Sequence, residues 1–148
     1  MDARTKCLAS KQKLRRYEEA NSSGYVRCIS CGKILQVCEA EGGHYIPRTN
    51  RAVELEDDNI WPQCTECNQY RNGNVDMYRE RLINIIGFER VRRLELMASA
   101  WKGSDEAYEN LSADDKLSVS IRKRNSDYIT LKRRFDSQVR KVRQEKGL

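Results

Sequence analysis

Two CxxC pairs, Cys28-Ile29-Ser30-Cys31 and Cys64-Thr65-Glu66-Cys67, stand apart by 32 intervening residues. Thiolates are preferred zinc ligands and a tetrahedral site takes four of them. Two knuckles can therefore clamp one Zn²⁺ and replace the core that a short, loop-rich segment lacks. With Cys28, Cys31, Cys64 and Cys67 filling every position, no place is left for water, so the expected role of the ion is structural. Between the knuckles lies the only histidine, His44, directly after Gly42-Gly43. Its side chain is the one whose ordinary pKa lies near neutrality. A neutral imidazole there can take a proton from a water aligned with a phosphodiester. The glycines are expected to let the backbone turn sharply and a substrate approach closely.

Phosphodiester hydrolysis also needs positive charge beside the scissile phosphate. Mg²⁺ or Mn²⁺ supplies it through hard oxygen ligands. Asn68 follows Cys67 directly, so a knuckle-bound zinc would position its carboxamide. Glu41, three residues before His44, is the candidate carboxylate; a solvent-exposed loop acid is its equal alternative. Asp57 and Asp58 are weaker candidates and better turn residues. Asn59 is a candidate for holding the histidine loop by hydrogen bonds, against ordinary turn chemistry. Arg48, Arg51 and Arg71 flank these positions and are candidate phosphate contacts. Trp61 has two readings, stacking on a base or packing beneath the second knuckle. Cys38 is a spare thiol that could replace one ligand, and Cys7 has no assigned role.

The chain that must position these groups has 148 residues, enough for one domain with a helical appendage. No apolar run approaches the roughly 20 residues of a membrane helix, and Met1-Asp2-Ala3-Arg4 lacks an apolar signal region. The expectation is a soluble, cytoplasmic protein, so paired cysteines point to metal rather than disulfides. A net charge of +6 suggests an anionic partner, most simply nucleic acid.

Residues 1–24 read as a basic helix bearing Lys6, Lys11, Lys13, Arg15 and Arg16, ending near Ala20 before a turn cluster. Its cationic face is either solvated or a phosphate contact. Residues 25–75 read as two short strands and a helix around the zinc, with Tyr25-Val26-Arg27 leading into the first knuckle. Ile34 to Val37 is expected to pair with a return strand at His44-Tyr45-Ile46, and Ala52-Val53-Glu54-Leu55 is expected to be extended. Residues 76–148 read as helical. From Leu117 through Ile121, Tyr128, Leu131, Phe135 and Val139 to Val142, an apolar stripe predicts one amphipathic helix of roughly eight turns or more. Such a stripe packs either on this subunit or on the same helix of a second, which makes a homodimer an expectation.

Cys28-Ile29-Ser30-Cys31-Gly32, Gly43-His44-Tyr45, Asn59-Ile60, Gln63-Cys64, Cys67-Asn68-Gln69 and Gly73-Asn74, with Tyr78, Leu82, Ile83 and Gly87, resemble the NinG (Rap) recombination endonucleases of lambdoid phages. The wider class is the HNH, or His-Me finger, nucleases, and the Cys67-Asn68 ending is also similar to phage endonuclease VII. The resemblance implies an α+β fold, mostly helical, with a zinc-bound ββα core. It implies a Mg²⁺-dependent endonuclease acting on branched DNA such as Holliday junctions and D-loops during phage recombination. On that pattern His44 is the general base, Asn59 the middle asparagine and Asn68 the metal ligand. Gly43 stands where many HNH nucleases have Asp, and Trp61-Pro62 replaces a histidine-containing pair. The alternatives are an HNH nickase or nuclease without branch preference, or a non-catalytic zinc finger that binds DNA.

Overall fold

In the computed structural model, which describes residues 1–148, Asp2 opens the first helix by accepting a hydrogen bond from Thr5 N at 2.7 Å. Helix α1 (Ala3–Glu19) ends where the turn cluster begins. Cys7, Leu8 and Leu14 face inward, and so do Lys11 and Arg15. The expected cationic face is therefore largely internal. Lys11 pairs with Asp57 and holds its ammonium 4.8 Å over the Phe135 ring. Arg15 Nε donates to the carbonyls of Asp57 and Ile60, and Arg16 donates to Ala40 O at 2.7 Å. Long basic side chains bury their apolar stems while their heads find carbonyls and carboxylates. Lys6 and Lys13 alone of the five stay exposed.

Strand β1 (Tyr25–Arg27) and β2 (Ile34–Gln36) form an antiparallel hairpin with Val26 opposite Leu35, and both residues are buried. Its loop is the first knuckle. The partner expected for β2 is wrong, because the return strand belongs to a second ribbon. There β3 (Glu41–His44) pairs with β4 (Ile60–Gln63), Gly43 opposite Trp61 and His44 opposite Ile60. Cys64 follows β4 directly, and Cys67 sits in a π-helical turn over Glu66–Tyr70. Residues 52–55 are turn rather than strand, followed by a 3-10 turn at Asp57–Asn59. Val53 N bonds Asn50 O at 3.4 Å and Glu56 N bonds Val53 O at 3.3 Å, which coils the segment, and Val53 and Glu54 are both fully buried.

Helices α2 (Val75–Ile86) and α3 (Phe88–Trp101) meet at Gly87, whose φ of +88° suits glycine. Tyr78, Leu82, Val91, Leu94 and Met97 form the main core against Trp61 and Val53. After α4 (Asp105–Glu109), the predicted single long helix is two: α5 (Ala113–Ser120) and α6 (Asn125–Lys146), separated by extended backbone at 121–124. Each half has a different partner. Asp115 of α5 takes two 2.8 Å bonds from Arg93 of α3. The α6 stripe (Tyr128, Phe135, Val139) packs on Cys7 and Leu14 of α1.

Contacts from Ser10 to Asp136, Tyr17 to Arg143, and Lys146 to the carbonyls of Tyr17, Glu18 and Ala20 climb in one order, so α1 and α6 run parallel. The Lys146 ammonium thereby satisfies carbonyls that the end of α1 leaves open. Because α1 covers the stripe, the stripe no longer argues for a second subunit. Leu117 and Ile121, expected on it, are 62% and 55% exposed. No helix is long and apolar enough to cross a membrane.

Candidate functional site

The two knuckles converge. The sulfurs of Cys28, Cys31, Cys64 and Cys67 all lie within 4.8 Å of one another, with Cys31 Sγ 3.8 Å from Cys64 Sγ. A tetrahedron with Zn–S bonds of about 2.3 Å has edges of about 3.8 Å, so the donor set fits a metal such as zinc. Asn74 Nδ2 lies 3.5 Å from Cys67 Sγ and can donate to a thiolate there. Gly32, at φ +79°, makes the first knuckle's turn and lies under the Arg81 guanidinium. Cys38 is exposed beside Gln36 and is outside the cluster. Cys7 is a core residue between α1 and α6.

His44 ends β3. The glycines before it lie in the strand and make no sharp turn; neither has positive φ. They are small because other parts of the protein occupy the space. A Cβ on Gly42 would stand 2.6 Å from Gln12 Cβ of α1, and one on Gly43 would strike the buried Gln63 carboxamide. Gln12 Nε2 also donates to Gly42 O at 2.8 Å. The imidazole Nε2 is 2.9 Å from Glu54 O. A carbonyl only accepts, so Nε2 carries the proton and Nδ1 of the neutral ring is left with its lone pair. Burial holds His44 below its ordinary pKa of 6.5, and the Arg48 and Arg4 cations push it the same way, against the Glu54 carbonyl.

Glu54 was missed in the sequence, where it lies in a plain apolar stretch. It is fully buried, takes Arg4 Nε at 2.8 Å and Tyr128 Oη at 2.6 Å, and so ties α1 and α6 to the loop whose carbonyl orients His44. Asn59 holds the same loop. Its Oδ1 accepts from Ile46 N at 2.8 Å, and its Nδ2 donates to the Ile46 and Val53 carbonyls at 3.0 Å. Fully buried, it touches the loop and not the cleft.

A cleft of about 410 Å³ brings His44 together with Arg48, Asn68, Asn72 and Gln12. Asn68 Nδ2 faces Glu41 Oε2 at 3.4 Å, and Gln69 also bonds Glu41, so the carboxylate stands beside Asn68 just off the cleft wall. Asn72 and Asn74 both have left-handed backbone, at φ 50° and 44°, around Gly73. Asparagine tolerates this region better than other residues with a Cβ, because its short polar side chain can hydrogen-bond locally. Only the Asn-Gly-Asn string hinted at this in the sequence.

The other arginines are elsewhere. Arg51 lines a different cavity, and Arg71 pairs with Glu66 at the surface. Asp57 and Asp58 serve Lys11 and Arg90 as ion-pair partners at the 3-10 turn. Trp61 packs in the main core, its indole N–H donating to Asp58 O at 2.9 Å and Arg15 lying 4.8 Å over its ring. That leaves no face for a base.

A profile of the family described as Bacteriophage Lambda NinG protein matches residues 9–143. The chain belongs to the NinG family. The ninG protein of Escherichia phage 933W is 42% identical over 71 residues, which is 46% of this chain and 34% of that protein. For phage lambda the identity is 41% over 71 residues, 46% of this chain and 33% of the relative. For Salmonella phage P22 it is 39% over 71 residues, with 46% and 34% covered. The alignment thus spans about a third of the curated NinG relatives' length. No solved structure matches the chain significantly.

Proposed function

We propose that this NinG-family chain is a metal-dependent endonuclease of the HNH, or His-Me finger, kind, acting on branched DNA such as Holliday junctions and D-loops. The observation that supports it best is that His44, Arg48 and Asn68 line one cleft, with His44 Nε2–H fixed on Glu54 O. Nδ1 then removes a proton from the attacking water, and Arg48 binds the phosphate beside it. Asn68 and Glu41 offer oxygen atoms suited to a hard cation such as Mg²⁺ or Mn²⁺. That cation, when bound, supplies positive charge for the leaving oxygen. Zinc at the four cysteines holds the β4 end and the π-helical turn, and with them Asn68, in place.

Asn59 acts as a positioning residue, through the loop that it bonds. Paired nicks across a junction call for two chains, so a homodimer on DNA is part of this reading, with a contact that does not use the α6 stripe. The test compares cleavage of a synthetic four-way junction with that of a linear duplex of the same sequence, in Mg²⁺. Junction-selective nicking is expected. Equal cutting of both would leave an HNH nuclease without branch preference. Junction binding with no cutting in Mg²⁺ or Mn²⁺ would make the chain a DNA-binding zinc protein instead.

A further inference from the structure

The α5–α6 break opens a second cavity, of about 450 Å³, away from the His44 cleft. Its walls include Arg51 from the histidine loop, Trp101 at the end of α3, Ile121, Arg122 and Lys123 from the extended connection, and Tyr128 of α6. No carboxylate lines it. The ion pairs nearby are made by other residues, Arg93 with Asp115 and Arg124 with Asp127, so Arg51, Arg122 and Lys123 keep their charges unpaired. Trp101 is 42% exposed and Ile121 is 55% exposed, so an aromatic and an aliphatic face remain uncovered beside those cations. The cavity also lies at the N-terminal end of α6, where the helix dipole is positive.

Unpaired cations beside an uncovered aromatic are what a single-stranded nucleic acid uses, phosphate on the charges and base on the ring. The volume lies within the range of small-molecule and cofactor sites. The cavity is also tethered to the cleft. Arg48 lines one and Arg51 the other, and three residues of chain span at most about 11 Å. A strand leaving Arg48 reaches Arg51 along one loop.

Resting on the reading that this chain acts on DNA, we propose that this cavity binds an unpaired nucleotide of a DNA strand, its base on Trp101 and its phosphate among Arg51, Arg122 and Lys123. It is thus a second contact that favours branched over fully paired DNA. Nothing covalent happens there.

Binding is measured without added Mg²⁺, so that cleavage does not intervene, using tryptophan fluorescence and the anisotropy of a labelled oligothymidylate of about eight nucleotides. A blunt hairpin duplex and thymidine monophosphate serve as comparisons. The expected result is saturable quenching by the oligothymidylate and little by the duplex or the free nucleotide. Trp101→Ala should weaken the oligonucleotide at least about tenfold. Arg122→Ala with Lys123→Ala should lower the salt slope of binding by about 1.4.

All three side chains are exposed or partly so, and unchanged circular dichroism should accompany each variant. Equal quenching by the duplex, quenching by the monophosphate alone, or anisotropy unchanged in both variants would overturn the proposal. A protein that cuts junctions yet shows no such binding refutes the pocket and spares the nuclease reading. One that binds the oligonucleotide here but never cuts does the reverse.

Discussion

Gly43→Ala is predicted to destabilise the protein by about 2–4 kcal/mol, because of one neighbour. The new Cβ would lie 2.9 Å from Gln63 Cδ and closer still to Oε1, a separation real Cβ atoms do not show. Gln63 cannot simply swing aside, since it is fully buried and its Nε2 donates to Ser30 Oγ at 2.8 Å and Gly73 O at 2.6 Å. Displacing it breaks both bonds. Ser30 Oγ still donates to Gly73 O at 3.3 Å, but the two buried N–H groups of Gln63 lose their acceptors, at about 1–3 kcal/mol for each. Urea unfolding of Gly43→Ala, Gln63→Ala and the double variant separates the causes. Gln63→Ala alone loses the two bonds, and the added methyl then has room, so the double variant should match Gln63→Ala within about 0.5 kcal/mol. A Gly43→Ala protein within about 0.5 kcal/mol of the parent, or strict additivity in the double variant, would refute the clash.

Three further outcomes are expected. Arg4→Met leaves the buried Glu54 carboxylate with Tyr128 as its remaining side-chain partner, and should cost about 3–5 kcal/mol in chemical unfolding; a loss below about 1 kcal/mol would contradict the role given to that pair. Zinc removal by a chelator should release about one ion per chain and abolish the cooperative melt of the hairpin and second knuckle. Cys64→Ser should behave alike while Cys38→Ser does not, and equal zinc loss from both would misplace the ligand set.

His44 has a folded pKa below 6.5 because of its burial, so it stays neutral in the folded protein as pH falls past 6.5 while the unfolded chain takes up a proton. Its contribution to stability is therefore present above 6.5 and lost as pH falls through the folded pKa. The acid limb of kcat/KM for cleavage, which reports groups of the free protein, should accordingly have its midpoint below 6.5; a midpoint above it would contradict a buried His44 as the titrating base.

Much of this site was legible because its signals are local. CxxC spacing fixes sulfur geometry within a few residues, and Asn68 is bound to follow Cys67. What was not legible depends on partners far apart in sequence. Glu54 gave no sign of its role because Arg4 and Tyr128 are 50 and 74 residues away. Gly42 and Gly43 were expected to make a sharp turn and admit a substrate, but they lie in β3, and what approaches them is Gln12 and Gln63. The apolar stripe from Leu117 to Val142 keeps helical spacing through the 121–124 break, so periodicity alone could not find the break. Its trace was the polar start Asn125-Ser126-Asp127, where Asp127 accepts from Arg124 N at 2.6 Å. The basic α1 misled because charge runs are usually solvated, whereas here α6 and the β-ribbon enclose three of the cations.

The most direct test of the central claim is the single-turnover cleavage rate of His44→Ala on four-way junction DNA in Mg²⁺, beside the parent protein. The account predicts a loss of at least about 10²-fold, the lower end for a general base, with zinc content and melting behaviour kept. Cleavage at the parent rate by a folded, zinc-loaded His44→Ala protein would contradict it.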